Sequence, residues 1–164
     1  MKRVLVIGCP GSGKSTFARK LHMKTGLPLY YLDMLYWNAD KTTVTAEEFD
    51  EKLDDVLKKE EWIVDGNYSR TMEKRLKRSD TVFFFDIPTE TCIEGIKNRV
   101  GTARPDMPWL ERKVDEELLE FVKGFNKNTT PEIRRCLDKY DGIEKICFTS
   151  RNDAEMFLIE MSVN

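Results

Sequence analysis

Short apolar runs alternate with longer segments of mixed polarity along this chain of 164 residues. Short runs rich in Val, Ile and Phe are typical of strands. The strands predicted in this way are Arg3 to Ile7, Leu29 to Leu32, Trp62 to Val64, Thr81 to Phe85 and Lys145 to Phe148. The fourth is apolar almost throughout, which is typical of a strand that is covered on both faces.

The segments between these strands predict helices. The helices run from Lys14 to about Thr25, Ala46 to Lys59, Thr89 to Val100, Trp109 to Phe125, Pro131 to Tyr140 and from about Asn152 onward, with a short helix after Gly66. Thr45 and Glu48 have the spacing of a capping box, and Gly26 with Pro28 ends the first helix. Because strands and helices alternate, we expect a parallel, doubly wound sheet that binds ligands at the carboxyl ends of its strands.

A glycine-rich octapeptide connects the first strand to the first helix: Gly8-Cys9-Pro10-Gly11-Ser12-Gly13-Lys14-Ser15. It has the spacing G-x-x-x-x-G-K-[ST], in which glycines let successive backbone N–H groups turn toward one phosphate. Lys14 would reach the β- and γ-phosphates, and the Ser15 hydroxyl would bind Mg²⁺.

The motif predicts a P-loop NTPase fold, a three-layer α/β/α arrangement with a five-stranded parallel sheet and a short lid. It also predicts ATP and Mg²⁺ as cofactors. The nucleotide would be bound by Gly8, Cys9, Pro10, Gly11, Ser12, Gly13, Lys14, Ser15 and Thr16.

Composition favours one domain, which we place at residues 1–164. The apolar runs are too short to cross a bilayer, so no membrane partner is expected. Met1-Lys2-Arg3-Val4 leads into a strand and does not resemble a signal peptide, so we expect a cytoplasmic protein. A net charge of −2 lacks the basic excess that nucleic-acid binding requires, so direct nucleic-acid binding is not expected.

The four cysteines, Cys9, Cys92, Cys136 and Cys147, are far apart and form no C-x-x-C pair. This spacing argues against a zinc site and against a disulfide framework, so we expect reduced thiols. Cys9 lies inside the octapeptide, where a reactive thiol is one interpretation and a small filler residue is the favoured one.

Three aspartates follow predicted strands. Asp33 is a candidate to orient an acceptor hydroxyl or to take its proton, and the alternative is a turn or cap that closes the strand. Asp65 would hold Mg²⁺ through water or position the Ser15 hydroxyl. Asp86 competes for that role, but it precedes Pro88 at a predicted helix start, so we favour Asp65.

Arginines supply the candidate cations. Arg70 follows the Asp65-Gly66 turn and offers a planar charged fork for an acceptor phosphate or carboxylate, the alternative being a solvated side chain. Arg99 and Arg104 flank a short flexible segment, which predicts a lid at about residues 99–110 that brings cations to the γ-phosphate. A plain surface loop is the alternative, and Arg112 could join from the next helix.

The residues after the strands separate the classes of P-loop protein. A GTPase is expected to show D-x-x-G and N-K-x-D, whereas Asp65 precedes Gly66-Asn67-Tyr68 and Asn126 to Thr129 lacks the aspartate. No second acidic residue stands beside Asp65 to activate a water. We therefore expect phosphoryl transfer from ATP to a small-molecule acceptor, with acceptor contacts from Asp33, Tyr36, Trp37 and Arg70 and catalytic roles for Lys14, Asp33, Arg99 and Arg104.

Three segments resemble those of adenylate-kinase-like small kinases: Gly8 to Thr16, Trp62 to Thr71 with its Asp-Gly turn and arginine, and Arg99 to Pro105. Tyr31 to Trp37 and Arg104 to Met107 are most similar to bacterial proteins named DNA topology modulation proteins. The segment at Asp33 also resembles shikimate-kinase-like enzymes, which use an Asp there. The resemblance implies a Mg-ATP-dependent kinase with an acceptor-binding segment at about 33–60. The alternatives are a nucleoside monophosphate kinase, a nucleotide-binding regulator of DNA topology, or a slow ATPase.

The chain departs from the adenylate-kinase-like pattern in two places. Gly95 stands where those kinases carry an arginine that packs on the adenine. Lys41 is the only cation between Asp33 and Phe49, where those kinases carry an acceptor-binding arginine. A nucleoside monophosphate is thus a less secure acceptor. Tyr36 and Trp37 are expected to line the acceptor pocket, with a place in the core as the alternative.

Overall fold

The computed structural model describes residues 1–161. The strands are β1 (Arg3–Gly8), β2 (Leu29–Tyr31), β3 (Trp62–Asp65), β4 (Thr81–Phe85) and β5 (Glu144–Phe148). The helices are α1 (Lys14–Thr25), α2 (Leu32–Tyr36), α3 (Ala46–Leu57), α4 (Met72–Leu76), α5 (Thr89–Asn98), α6 (Glu116–Asn128), α7 (Thr130–Asp138) and α8 (Arg151–Glu160), with a 3₁₀ turn at Ser69–Thr71. Positions 162–164 of the predicted domain lie outside the described residues.

The five strands form one parallel sheet in the order β2-β3-β1-β4-β5. In this register Val4 of the central strand β1 pairs with Ile63 on one side and Thr81 on the other. The chain leaves β1 toward one edge of the sheet and leaves β3 toward the other, which opens a crevice at the carboxyl ends of these strands.

Helices cover both faces of the sheet. Phe83 and Phe85 point to one face, where their rings meet Phe17 of α1 edge-on at centroid distances of 4.8 and 5.3 Å. Phe84 points to the opposite face and lies beneath the guanidinium of Arg134 in α7. The predicted three-layer α/β/α architecture with a five-stranded parallel sheet is confirmed.

The predicted helix boundaries are confirmed where local capping signals exist. Thr45 and Glu48 form the expected reciprocal capping box at the start of α3, with N···O distances of 3.0 and 3.2 Å. Gly26 ends α1 in the left-handed conformation, with φ of 73°. Among residues 1–161 all four cysteines are free thiols, and no helix has the length and apolar character needed to cross a membrane.

Two helical predictions differ from the structure. The helix predicted from Trp109 to Phe125 is wrong in its first part, because α6 begins at Glu116 after the cap Asp115, whose carboxylate accepts from two backbone N–H groups. Arg112 therefore lies before the helix. The short helix α2 was not predicted, since five residues are too few to show a helical period.

Candidate active site

A cleft of about 1860 Å³ opens at the carboxyl ends of the strands. The phosphate loop, defined here as residues 8–15, contributes one wall, and Asp33 after β2 and Asp65 at the end of β3 contribute another. The non-helical residues 99–115 between α5 and α6, called below the 99–115 segment, cover it. The fold thus brings three sequence-predicted groups of residues to one cavity.

The glycines of the phosphate loop have positive φ, and at two of them a side chain would also collide with a neighbouring element. Gly8 and Gly11 have φ values of 144° and 79°. A Cβ at Gly8 would lie 2.5 Å from the carbonyl oxygen of Phe85, and one at Gly11 would lie 2.2 Å from that of Cys92. The loop is therefore packed closely against β4 and α5 on its outer side, while Lys14, at the start of α1, lines the cleft.

The side chain of Asn67 fixes the start of the loop. Its amide oxygen accepts from the N–H of Gly8 at 2.9 Å, and its amide nitrogen donates to the carbonyl of Gly8 at 2.7 Å. Sequence reasoning did not select Asn67. Its position directly after Asp65-Gly66, at the end of a strand beside β1, is the signal that could have identified it.

Cys9 fills space in the loop. Its thiol is buried and hydrogen-bonds to that of Cys92 in α5, and this bond, followed by burial, raises the pKa of Cys9. A protonated, packed thiol agrees with the filler interpretation.

Ser15 and Asp65, the two residues predicted to bind Mg²⁺, are in direct contact. The Ser15 hydroxyl donates to Oδ2 of Asp65 at 2.5 Å, and Asp65 is buried at 4% exposure. Burial raises the pKa of Asp65 to about 6, although Lys14 and the bond from Ser15 oppose this effect. The other carboxylate oxygen, Oδ1, is buried without a hydrogen-bond partner.

The oxygen donors at this position fit Mg²⁺. A hydroxyl and a carboxylate are hard ligands, and Mg²⁺ is usually held by one or two such groups together with water and phosphate oxygens. Among residues 1–161, no group of three His, Cys, Asp or Glu side chains forms a metal site made of protein alone. Ser15 and Asp65 would therefore share the ion with a bound nucleotide.

Asp33 lies in α2 and lines the cleft. The phenol of Tyr68 donates to Oδ1 of Asp33 at 2.6 Å, and the side chain of Trp37 hydrogen-bonds to the same phenol. Burial, and then the adjacent Asp33 carboxylate, raise the pKa of Tyr68, so the phenol is a fixed proton donor. Tyr68 orients the Asp33 carboxylate, and sequence reasoning did not select this residue.

Arg99 and Arg104 lie in the cleft and share a carboxylate. Arg99 donates to one oxygen of Glu111 at 2.8 Å, and Arg104 donates to the other at 3.0 Å. Arg104 also pairs with Asp106 at 2.9 Å. These four side chains are 7 to 19% exposed, and burial lowers the pKa of Arg99. These four side chains thus form a charge-balanced cluster within the 99–115 segment, and its acidic members were not predicted.

The aromatic residues after β2 divide between cleft and core. Trp37 lines the cleft and meets Trp109 of the 99–115 segment edge-on at 5.3 Å. The ammonium nitrogen of Lys41 lies over the Trp109 ring, 5.9 Å from its centroid. Tyr36 does not line the cleft; its ring packs against Phe49 at 5.8 Å. Of the predicted pair, only Trp37 reaches the cavity.

Besides Tyr36, the structure places the predicted acceptor ligand Arg70 and the alternative metal candidate Asp86 outside the cleft. Arg70 points to the surface, where both its terminal nitrogens donate to Asp50 of α3 at 2.8 Å. Asp86 pairs with Arg134 on the far side of the sheet. The fixed guanidinium near the Asp65-Gly66 turn belongs to the fully buried Arg75, which donates to the carbonyl of Gly66 at 2.8 Å and supports the turn from behind.

Solved structures of other proteins share this fold. Shikimate kinase from Aquifex aeolicus aligns with 98% of this chain and 94% of its own, at 21% identity and a TM-score of 0.58. Shikimate kinase from Bacteroides thetaiotaomicron aligns with 99% of this chain and 96% of its own, at 16% identity and a TM-score of 0.62. No family model and no curated protein matches the sequence. The chain therefore shares the fold of these two structures.

Proposed function

We propose that this protein is a Mg²⁺- and ATP-dependent kinase that transfers the γ-phosphoryl group to a hydroxyl of a small molecule. The observation that carries the proposal is a single cleft that holds the phosphate loop, the Ser15–Asp65 pair and the Asp33–Tyr68 pair. The fold shared with two proteins named shikimate kinases supports a kinase reaction.

The nucleotide half of the site is the phosphate loop with Lys14. The loop backbone would hold the β-phosphate, while the Lys14 ammonium would bind oxygens of the β- and γ-phosphates. Mg²⁺, when bound through Ser15 and Asp65, would neutralise charge on those oxygens. Because the Ser15 hydroxyl donates its hydrogen bond to Asp65, the lone pairs of the hydroxyl oxygen remain available to bind the ion.

The acceptor half is the Asp33–Tyr68 pair. Tyr68 occupies one carboxylate oxygen of Asp33, which leaves the other to accept a hydrogen bond from an acceptor hydroxyl. This contact would aim the hydroxyl oxygen at the γ-phosphorus and receive its proton as the bond to phosphorus forms. Trp37, which hydrogen-bonds to Tyr68, would form an apolar wall beside the acceptor.

The 99–115 segment supplies the cations for the transferred group. Arg99 and Arg104 are held in the cleft by Glu111, and their remaining N–H groups would bind γ-phosphate oxygens as charge shifts during transfer. Arg70, by contrast, is committed to Asp50 at the surface. Arg70 was the predicted ligand of an acceptor phosphate, and its position at the surface therefore favours a hydroxyl acceptor over a nucleoside monophosphate.

The test is a phosphoryl-transfer screen with [γ-³²P]ATP and Mg²⁺. Neutral polyols, sugars, nucleosides, hydroxy acids and nucleoside monophosphates are compared as acceptors. We expect a labelled phosphate ester from a hydroxyl compound and near-complete loss of turnover in Lys14→Ala. Lys52→Ala, an exposed change in α3, is the control and should keep full activity. Wild-type turnover in Lys14→Ala, or labelling of nucleoside monophosphates alone, would refute the proposal.

A further inference from the structure

The phosphate loop has a contact with α8, at a part of the cleft lined by Gly95 and Arg151, that the proposed chemistry does not use. Arg151, the first residue of α8, donates from Nη2 to the carbonyl of Gly11 at 2.7 Å and from Nε to that of Ser12 at 3.3 Å. The same Nη2 donates to the carbonyl of Thr91 in α5 at 3.1 Å. One guanidinium thus joins three backbone carbonyls from two segments.

Gly95 makes room for this arrangement. A Cβ at position 95 would lie 2.1 Å from the carbonyl oxygen of Gly11 and 2.6 Å from Nη2 of Arg151. Both distances are far inside van der Waals contact, so a larger residue would push the loop or the guanidinium away. The contacts of Arg151 in α8 therefore depend on Gly95 in α5, although the two residues are 56 positions apart in the sequence.

The contacts have a direct consequence for phosphate binding. A peptide unit that directs its carbonyl to Arg151 directs its N–H the opposite way, because the two groups are trans across a planar bond. Fixing the carbonyl of Ser12 thereby fixes the N–H of Gly13 on the side opposite Arg151. The N–H of Ser12, which shares a peptide unit with the Gly11 carbonyl, donates to the carbonyl of Cys9 at 3.2 Å and closes a turn within the loop.

The Thr91 contact extends the effect to the other end of the cleft. Thr91 and Gly95 belong to α5, and Arg99 is the cap of that helix. A guanidinium that holds α5 against the loop sets the distance between Arg99 and the phosphates. We propose that Arg151 is a positioning residue, which orients the loop amides and ties the loop to the helix that carries Arg99. The nucleotide-binding part of this inference rests on the proposed function.

The test compares three substitutions with a surface control. Arg151→Gln removes the charge and most of the donors, Arg151→Lys keeps the charge without the fork, and Gly95→Ala crowds the contact with Arg151 intact. Arg135→Gln, whose Nε contacts only the carbonyl of Pro131 in its own helix, is the control. The measurements are the Kd for Mg-ATP by calorimetry, KM and kcat, and hydrogen exchange of a peptide covering residues 9–16 without ligand.

For Arg151→Gln we expect a Kd raised about tenfold or more and a KM that rises with it, because charge-assisted hydrogen bonds are lost. Arg151→Lys and Gly95→Ala should also raise the Kd and KM. In all three variants the loop amides should exchange faster than in the wild type. If Arg151→Gln matches Arg135→Gln in both Kd and exchange, the inference is overturned. Full recovery in Arg151→Lys would overturn the positioning role and leave only a charge effect. Failure of the wild type to bind Mg-ATP would count against the proposed function, and the exchange data would still decide the role of Arg151.

Discussion

Burial of Asp65 predicts that the metal-free protein loses stability as the pH rises. The pKa of this carboxyl is raised from its usual 3.8 to about 6 in the folded state. Below pH 3.8 both states hold the proton. Between 3.8 and 6 only the folded state holds it, so each increase in pH favours unfolding. Above pH 6 the full penalty, about 3 kcal/mol, is present.

Asp65→Asn should remove this penalty. The Asn oxygen can still accept from Ser15, but its N–H₂ group would take the place of Oδ1, which has no partner, at a cost of about 1 kcal/mol. In the absence of Mg²⁺ the variant should therefore be about 2 kcal/mol more stable than the wild type at pH 7.5. At pH 4.5 only about 1 kcal/mol of the penalty remains, which the cost of the unpaired N–H₂ group offsets, so the advantage of the variant should be gone.

Urea unfolding in EDTA, followed by circular dichroism at several pH values from 4.5 to 7.5, measures the difference directly. Asp141→Asn removes one carboxylate from an exposed turn and controls for net charge. A stability difference between Asp65→Asn and wild type that stays constant within about 0.5 kcal/mol over this range would refute the reasoning, because no proton would then be linked to Asp65. The variant should also lose phosphoryl transfer, since Mg²⁺ would lose an anionic ligand.

Two further predictions concern transfer itself. Arg104→Ala should lower kcat by about 10³-fold and change the Kd for ATP much less, because the guanidinium acts on charge that develops during transfer. Steady-state kinetics and calorimetry measure the two quantities. A Kd for ATP raised by a similar factor, with kcat unchanged, would contradict this prediction. Asp33→Asn should keep ATP affinity and lower transfer to a hydroxyl by about 10²-fold, while Arg70→Ala should have little effect. Full activity of Asp33→Asn in the transfer assay would exclude Asp33 as the base. A larger loss of transfer activity in Arg70→Ala than in Asp33→Asn would indicate a phosphate acceptor.

The strands and the phosphate loop were predictable because their signals are local. The run Thr81 to Phe85 gives β4 with its observed bounds, and the order of Gly, Lys and Ser in residues 8–15 specifies the loop. The capping box at Thr45 is likewise contained within four residues. Contacts between residues that are neighbours in the sequence can therefore be predicted from the sequence.

The remaining side-chain partners depend on the tertiary fold. Arg70 and Arg75 are both arginines in one basic stretch, yet one pairs with Asp50 at the surface and the other is fully buried beneath the Asp65-Gly66 turn. Nothing in their spacing separates them. Glu111 in turn lies in a stretch whose apolar residues suggested a helix, although its role is to hold two arginines in a non-helical segment.

The strand order places the residues at the two ends of the cleft at opposite edges of the sheet. Asp33 and Trp37 follow β2 at one edge of the sheet, whereas Arg151 follows β5 at the other edge, and β1 lies between them. The residues proposed to bind the acceptor and those proposed to hold the nucleotide thus lie in distant parts of the sequence. If the proposed function is correct, exchanging the residues after β2 for those of a small-molecule kinase would change one edge of the sheet and leave the nucleotide-binding residues unchanged. The architecture therefore permits new acceptors to arise by local replacement rather than by redesign of the whole cleft.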